Sequence, residues 1–256
     1  MSAASQREQR LEQRLRELRL PSFLTHYRDL AGKARDGQWE PERYLDELVE
    51  LETSERADRR ITRLLREAKL PRGKTLETLQ LGRLPEAVRG RTRWLCTGEF
   101  LEQAANVCVF GNPGVGKTHL MAAVGRALVE RGQPVLFVAV QALVERLVEA
   151  KRDLRLAREL RRLDRYACLC LDDIGYVRQD RAEMEVLFAL LAERYERRSV
   201  MITSNLVFSQ WNQIFHDDMT AAAAIDRVVH HSVILELTVP SYRAEAARAR
   251  TQDEEK

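Results

Sequence analysis

The chain has 256 residues, with 42 Lys and Arg against 39 Asp and Glu, and 45% of it is hydrophobic. That length suits one large domain, or a medium domain with a small appendage, and buries a core without disulfide or metal staples. Twelve Gly and seven Pro exclude a collagen-like or low-complexity chain, and four cysteines (Cys96, Cys108, Cys168, Cys170) are too few for a disulfide framework.

In chain order, residues 1–80 read as helical throughout. Met1 to Arg10 carries Arg7, Glu8 and Arg10 and has no apolar core, unlike a signal peptide. Leu11, Leu15 and Leu18 recur at helical spacing before Pro21. Tyr44, Leu45, Leu48, Val49 and Leu51 form a second run entered at Pro41. A third begins near Ser54, carries Ile61, Leu64, Leu65 and Ala68, and stops at Pro71 to Gly73. Residues 81–104, with Gly82, Pro85, Gly90 and Gly98, read as a connector.

From residue 105 the texture changes. Strands are expected at 106–110, 135–140, 167–171, 200–203 and 233–237, and helices between them at 118–131, 141–163, 181–197 and 219–231. This alternation predicts an α/β domain over 105–245: a parallel five-stranded sheet with helices on both faces, preceded by a small all-α domain over 1–80. Residues 246–256 form a charged tail expected to be disordered. The longest uncharged stretch, Ser199 to His216, is broken by Ser, Thr, Asn and Gln and is no bilayer span, so no membrane partner and a cytoplasmic location are expected.

The segment Gly111-Asn112-Pro113-Gly114-Val115-Gly116-Lys117-Thr118 fits the phosphate-loop pattern G-x-x-x-x-G-K-[ST], between an expected strand and a helix that opens with His119 and Leu120. Glycines let the backbone wrap phosphate oxygens at a helix N-terminus, where partial positive charge collects. Lys117 then reaches the β- and γ-phosphates, and the Thr118 hydroxyl ligates Mg²⁺. The apolar run Cys168-Leu169-Cys170-Leu171 ends in Asp172 and Asp173. Two acids can simply start a loop. Following a phosphate loop, Asp172 suits the Mg²⁺ and Asp173 the attacking water. Asn205, just past the fourth strand, can orient that water or bind the γ-phosphate. Arg227, before the last strand, is placed to reach a neighbouring subunit's site, where an arginine stabilises transferring phosphoryl charge.

Together these residues resemble an AAA+ ATPase module: Walker A at 111–118, Walker B at 168–173, sensor 1 at Asn205 and an arginine finger at Arg227. More narrowly, the sequence is similar to the IstB-like ATP-binding proteins, helpers of insertion-sequence transposases that resemble DnaC-type helicase loaders. That likeness rests on Leu171 to Tyr176, Leu190 to Ser199, Thr203 to Leu206 and Ala224 to Arg227, and covers residues 10–245. The resemblance implies ATP and Mg²⁺ as cofactors, assembly as an oligomer on DNA, selection of target DNA and stimulation of a transposase. A replicative helicase is the alternative partner. Two departures stand out. Walker B ends in Asp-Asp instead of the commoner Asp-Glu. Only Thr238 to Lys256 follow the last strand, so the helical lid is absent or truncated, which leaves the site open on one side and Arg243 as a candidate sensor-2 contact. A small-molecule kinase on a phosphate-loop scaffold is disfavoured by the lack of an acceptor-binding lid.

The near-neutral total conceals local charge. Residues 56–74 hold eight bases against two acids, a local +6, and Arg56, Arg59, Arg60, Arg63 and Arg66 fall on one expected helix face. Lys151, Arg155, Arg158 and Arg162 recur at helical spacing between the second and third strands. The resemblance points the same way, since initiator-like AAA+ proteins carry an extra helix there that meets nucleic acid. Both runs suit mainly phosphate-backbone contact with weak sequence preference; the alternative, less favoured, is that they are ordinary solvated faces balanced by acids such as Glu47, Glu50, Glu52 and Glu55.

Overall fold

The structure, a computed structural model, describes residues 3–175, 180–211, 214, 218–242 and 245. Three helices open it: α1 (Ala3–Glu17), α2 (Pro21–Asp36) and α3 (Pro41–Ala68). Pro21 and Pro41 each stand at a first helical position, where the missing N–H removes no helix bond and the fixed φ suits the turn. The runs expected to be separate at Pro41 and Ser54 are one helix of 28 residues. No Gly or Pro stands between Glu42 and Ala68 to stop it.

The chain divides into two compact units, residues 1–63 and 64–256, so the division falls inside α3 and not near residue 80. In the first unit the buried Glu52 accepts the Ser22 N–H at 2.9 Å and the guanidinium groups of Arg56 and Arg59. Burial opposes its ionisation, but the Ser22 N–H and Arg56 together hold the carboxyl below its ordinary range.

Residues 64–104 are no loose connector. Leu64, Ala68, Leu79, Leu84, Val88, Leu95 and Phe100 are buried in the same cluster as Val107 and Val109 of the sheet. A helix, α4 (Glu86–Leu95), runs through this stretch with Gly90 inside it, so that glycine does not mark a turn.

The sheet holds β1 (Asn106–Gly111), β2 (Val135–Ala139), β3 (Cys168–Asp172), β4 (Ser199–Ser204) and β5 (Ser232–Leu237), all parallel, in the order β2-β3-β4-β1-β5. Its helices are α5 (Lys117–Glu130), α6 (Val140–Arg152), α7 (Leu156–Asp164), α8 (Arg181–Arg194) and α9 (Asp218–Val229). Strand alternation sorts the core into two layers. Val107, Val109, Cys168 and Cys170 face Leu120, Val124 and Leu128 of α5, whereas Cys108, Phe110, Leu169 and Leu171 face Leu143, Leu147, Leu187 and Leu190 of α6 and α8. Burial pushes the Cys108 thiol up to about 12, so it stays an inert core side chain.

The helix expected over 141–163 is broken. Leu154 takes a left-handed φ of 55°, the Arg155 N–H returns to the Ala150 carbonyl at 2.7 Å, and the Leu154 N–H to that of Lys151 at 3.1 Å. This is a Schellman turn with leucine where glycine is usual, and no residue type in the sequence announces it. Lys151, Arg155, Arg158 and Arg162 therefore do not share one helix face: Lys151 lies on α6, Arg155 in the turn, and Arg158 and Arg162 on α7.

Arg194 shows how the fold holds a charge. It is only 2% exposed and donates to the carbonyls of Leu163, Tyr166, Ala167 and Ser199 at 3.2, 2.9, 3.4 and 3.0 Å, tying the end of α7 to the starts of β3 and β4. Burial lowers its pKa to about 10, which still leaves it charged at neutral pH. Arg194→Met, which orphans these carbonyls, is expected to lose about 3 kcal/mol of unfolding free energy. Urea unfolding with an unchanged midpoint would rule that out.

Candidate active site

β1 delivers the chain into the phosphate loop. Gly111 has φ 151°, and a Cβ there would lie 2.7 Å from the Leu237 carbonyl oxygen, so β5 leaves room for glycine alone. Gly114 and Gly116 have φ of 85° and 98°, and α5 starts directly after them with its first N–H groups facing the loop. Val115 is buried beneath the loop and Pro113 lines the cavity above it. Lys117, 9% exposed, donates to the carbonyls of Gly111 at 2.6 Å and Asn112 at 3.0 Å. Its ammonium is thus held at the loop by weak acceptors that anionic phosphate oxygens would outcompete.

The acids stand across from it. Asp172 Oδ1 accepts the Thr118 hydroxyl at 3.0 Å and the Thr203 hydroxyl at 2.7 Å, while Thr203 Oγ1 accepts the Asp173 N–H at 2.8 Å. Pairing of Leu171 with Ile202 puts Thr203 beside the acids. Asp173 itself has φ 69°, a conformation that costs a non-glycine residue about 1 kcal/mol and turns the chain sharply after β3. Thr203 was not identified as a site residue from sequence, although its place one step before Ser204-Asn205 on the strand next to the Walker B acids is a readable signal. Hydroxyl and carboxylate oxygens are the hard donors that Mg²⁺ prefers, so Thr118 and Asp172 fit such an ion.

A cavity of about 310 Å³ opens over these groups, lined by Lys117, Thr118, Asp173 and Thr203 and, on the other side, by Lys74, Thr78, Leu79, Gln80 and Tyr242. Its size falls in the range of small-molecule sites. The second wall was invisible in sequence, because residues 74–80 carry no motif. His119 holds it in place: its Nε2 lies 3.1 Å from both the Thr75 carbonyl oxygen and the Thr78 hydroxyl. The imidazole thus braces the wall.

The open side expected from the short C-terminus is partly covered. The Tyr242 N–H donates to the Gly114 carbonyl at 3.1 Å, and its ring lies against Gly116. The Arg83 guanidinium stacks over that ring at 4.2 Å and reaches Glu245 at 2.7 Å. Arg243 and the tail over 246–256 lie outside the described residues.

Asn205 is not brought into the cavity lining. Its Oδ1 is buried and packs against Gly175, where a Cβ would come within 2.4 Å of it. Arg227 sits at the opposite end of the sheet. Its carbonyl accepts the Asn106 side chain at 3.3 Å at the start of β1, a strand's length of about 17–20 Å from the loop that follows β1. The guanidinium donates to the Ala223 carbonyl at 2.9 Å and lies 4.7 Å from the Phe188 ring centroid. Among the described residues it does not line the cavity over the phosphate loop.

Of the basic residues, Arg56, Arg59, Arg60, Arg63 and Arg66 are exposed along α3, with Arg56 and Arg59 engaged by Glu52 and Glu55. Lys151 pairs with Glu185, Arg155 with Asp153, and Arg162 with Glu159, while Arg158 is exposed.

A family model described as IstB-like ATP binding protein matches residues 13–250. An insertion-sequence ATP-binding protein of Sinorhizobium fredii is 44% identical over 241 residues, which cover 94% of this chain and 81% of that one. One from Pseudomonas aeruginosa is 36% identical over 238 residues, covering 93% and 90%. The solved DnaC helicase loader is similar with a TM-score of 0.56 at 18% identity, over 65% of this chain and 98% of that one. The replication initiator DnaA bound to AMPPCP and single-stranded DNA gives a TM-score of 0.57 at 16% identity, over 72% and 56%. Both likenesses are of fold, which in this chain is the five-stranded parallel sheet described above. With the family match spanning nearly all of the sequence, the chain belongs to the IstB-like ATP-binding proteins of insertion sequences.

Proposed function

We propose that this protein is a DNA-binding ATPase that assists a transposase, assembling on DNA as an ATP-dependent oligomer to select target DNA and stimulate transposition. The observation that carries the reading is the split of the machinery. Lys117, Thr118, Asp172 and Asp173 converge at one end of the sheet, whereas Arg227 stands at the other. Such a division supports a site completed by a second copy. The names of the insertion-sequence relatives support the biological setting.

In this mechanism Lys117 exchanges the Gly111 and Asn112 carbonyls for phosphate oxygens, and the first N–H groups of α5 take the remaining charge. Thr118 and Asp172 would hold a Mg²⁺ ion, which would supply positive charge to offset that of the β- and γ-phosphates. Thr203 holds Asp172 and the Asp173 backbone in one hydrogen-bonded chain, which keeps both carboxylates in register with the loop. Asp173 orients the attacking water. Asp173→Asn is expected to slow hydrolysis about 10²-fold or more while prolonging the ATP-bound assembly. An unchanged rate in a steady-state phosphate-release assay would move that role to another group.

Exposed guanidinium groups along α3 and α7 support binding to the phosphate backbone. Light scattering with ATP and duplex DNA tests the whole reading: a salt-sensitive, ATP-dependent oligomer on DNA is expected. A protein that stays monomeric, without salt-sensitive binding, overturns it. Retention of a replicative helicase instead of the transposase in a pull-down would reassign the partner.

A further inference from the structure

Two turns meet at the end of the sheet opposite the phosphate loop. One follows α8 and carries Glu196; the other joins α9 to β5 and carries His230 and His231. They lie together because β4 and β5, which they lead into, both pair with β1. Asn106, buried at the start of β1, fixes the frame. Its Nδ2 donates to the Val228 carbonyl at 3.1 Å, its Oδ1 accepts the Val200 N–H at 3.0 Å, and its own N–H donates to the His231 carbonyl at 3.1 Å. Glu196 and His231 both adopt left-handed backbone, with φ of 53° and 64°, so the two turns are sharply shaped.

The side chains converge. The rings of His230 and His231 have centroids 4.2 Å apart, His230 Nδ1 lies 3.7 Å from Glu196 Oε1, and the Tyr195 hydroxyl lies 3.0 Å from the same nitrogen. One ligating atom from each of Glu196, His230 and His231 falls within 4.8 Å of the others.

We propose that Glu196, His230 and His231 form a binding site for a divalent transition-metal ion of the zinc type. Two imidazoles and a carboxylate are a zinc donor set, and bonds of about 2.0–2.2 Å would bring tetrahedral ligands about 3.4 Å apart. All three residues are exposed, so rotation of their side chains closes the remaining gap without moving the core. The donors distinguish this site from the pair Thr118 and Asp172 at the phosphate loop, whose hard oxygens suit Mg²⁺. A position left open on the ion accepts water or a ligand from another molecule. His230 continues the last turn of the Arg227 helix, its N–H donating to the Asp226 carbonyl at 3.0 Å, so a bound ion stiffens the helix end that carries Arg227.

The test is calorimetric titration of the full, chelator-stripped protein with zinc sulfate in the absence of nucleotide. Saturable binding of one ion per chain is expected. Glu196→Gln, His230→Gln and His231→Asn are each expected to weaken it at least about tenfold. Asparagine is chosen at 231 because it tolerates the left-handed backbone, and thermal unfolding without zinc identifies any variant that fails to fold. Absence of saturable one-to-one binding overturns the proposal, as does full-strength binding in any folded variant of the three.

Discussion

Arg227→Ala is expected to bind ATP normally and to lose about 10³-fold or more in turnover, the scale on which arginine fingers act. The expectation follows from its position at the start of β1, a strand's length from its own phosphate loop. In the single subunit its guanidinium rests on the Phe188 ring and the Ala223 carbonyl. For the half-buried Arg227 a contact of that kind is worth about 0.5–2 kcal/mol, little enough for a phosphoryl group on a neighbouring copy to outbid. Mixing Arg227→Ala with Lys117→Ala provides the sharper measurement. Each variant keeps the half of the composite site that the other lacks, so part of the turnover returns on mixing. Normal turnover by Arg227→Ala alone would rule out a finger acting between subunits.

The second large effect is on binding. Lys117→Ala is expected to abolish ATP binding at concentrations that saturate the unaltered protein. Its ammonium is already held at the loop by the Gly111 and Asn112 carbonyls, so its loss removes the charge the phosphates need while sparing the packed core. Thermal unfolding separates the two consequences. Without nucleotide the variant should melt close to the unaltered protein. With ATP at a hundred times the dissociation constant, the unaltered protein gains about 2.7 kcal/mol and the variant gains none. A full ATP-dependent shift in the variant would show that backbone N–H groups alone suffice.

The sheet was legible because parallel strands covered on both faces are nearly continuous apolar runs, and each of the five strands lies within one or two residues of its expected limits. The phosphate loop and the Walker B acids were legible for another reason: their chemistry tolerates few residue types at fixed spacing. What failed to show depends on contacts distant in sequence. Nothing local tells that Leu79 and Phe100 share a core with Val109, and scattered glycines made that stretch read as loose. The break at Leu154 was hidden because leucine rarely occupies a left-handed helix terminus. Among the stretches that carried the family likeness, Leu190 to Ser199 holds Arg194, which makes no contact with the nucleotide cavity and braces three elements from within.

The wall made by Lys74, Thr78, Leu79 and Gln80 limits how this engine can be exchanged between proteins. A piece starting at residue 105 would contain every motif of the ATPase, yet it would lack one side of the nucleotide cavity and the anchors of His119. It would also bare the surface that Val88, Leu95 and Phe100 cover. The compact unit that holds the phosphate loop accordingly begins at Leu64, inside α3. Any exchange of this ATPase between proteins therefore has to carry residues 64–104 along with the motifs that follow them.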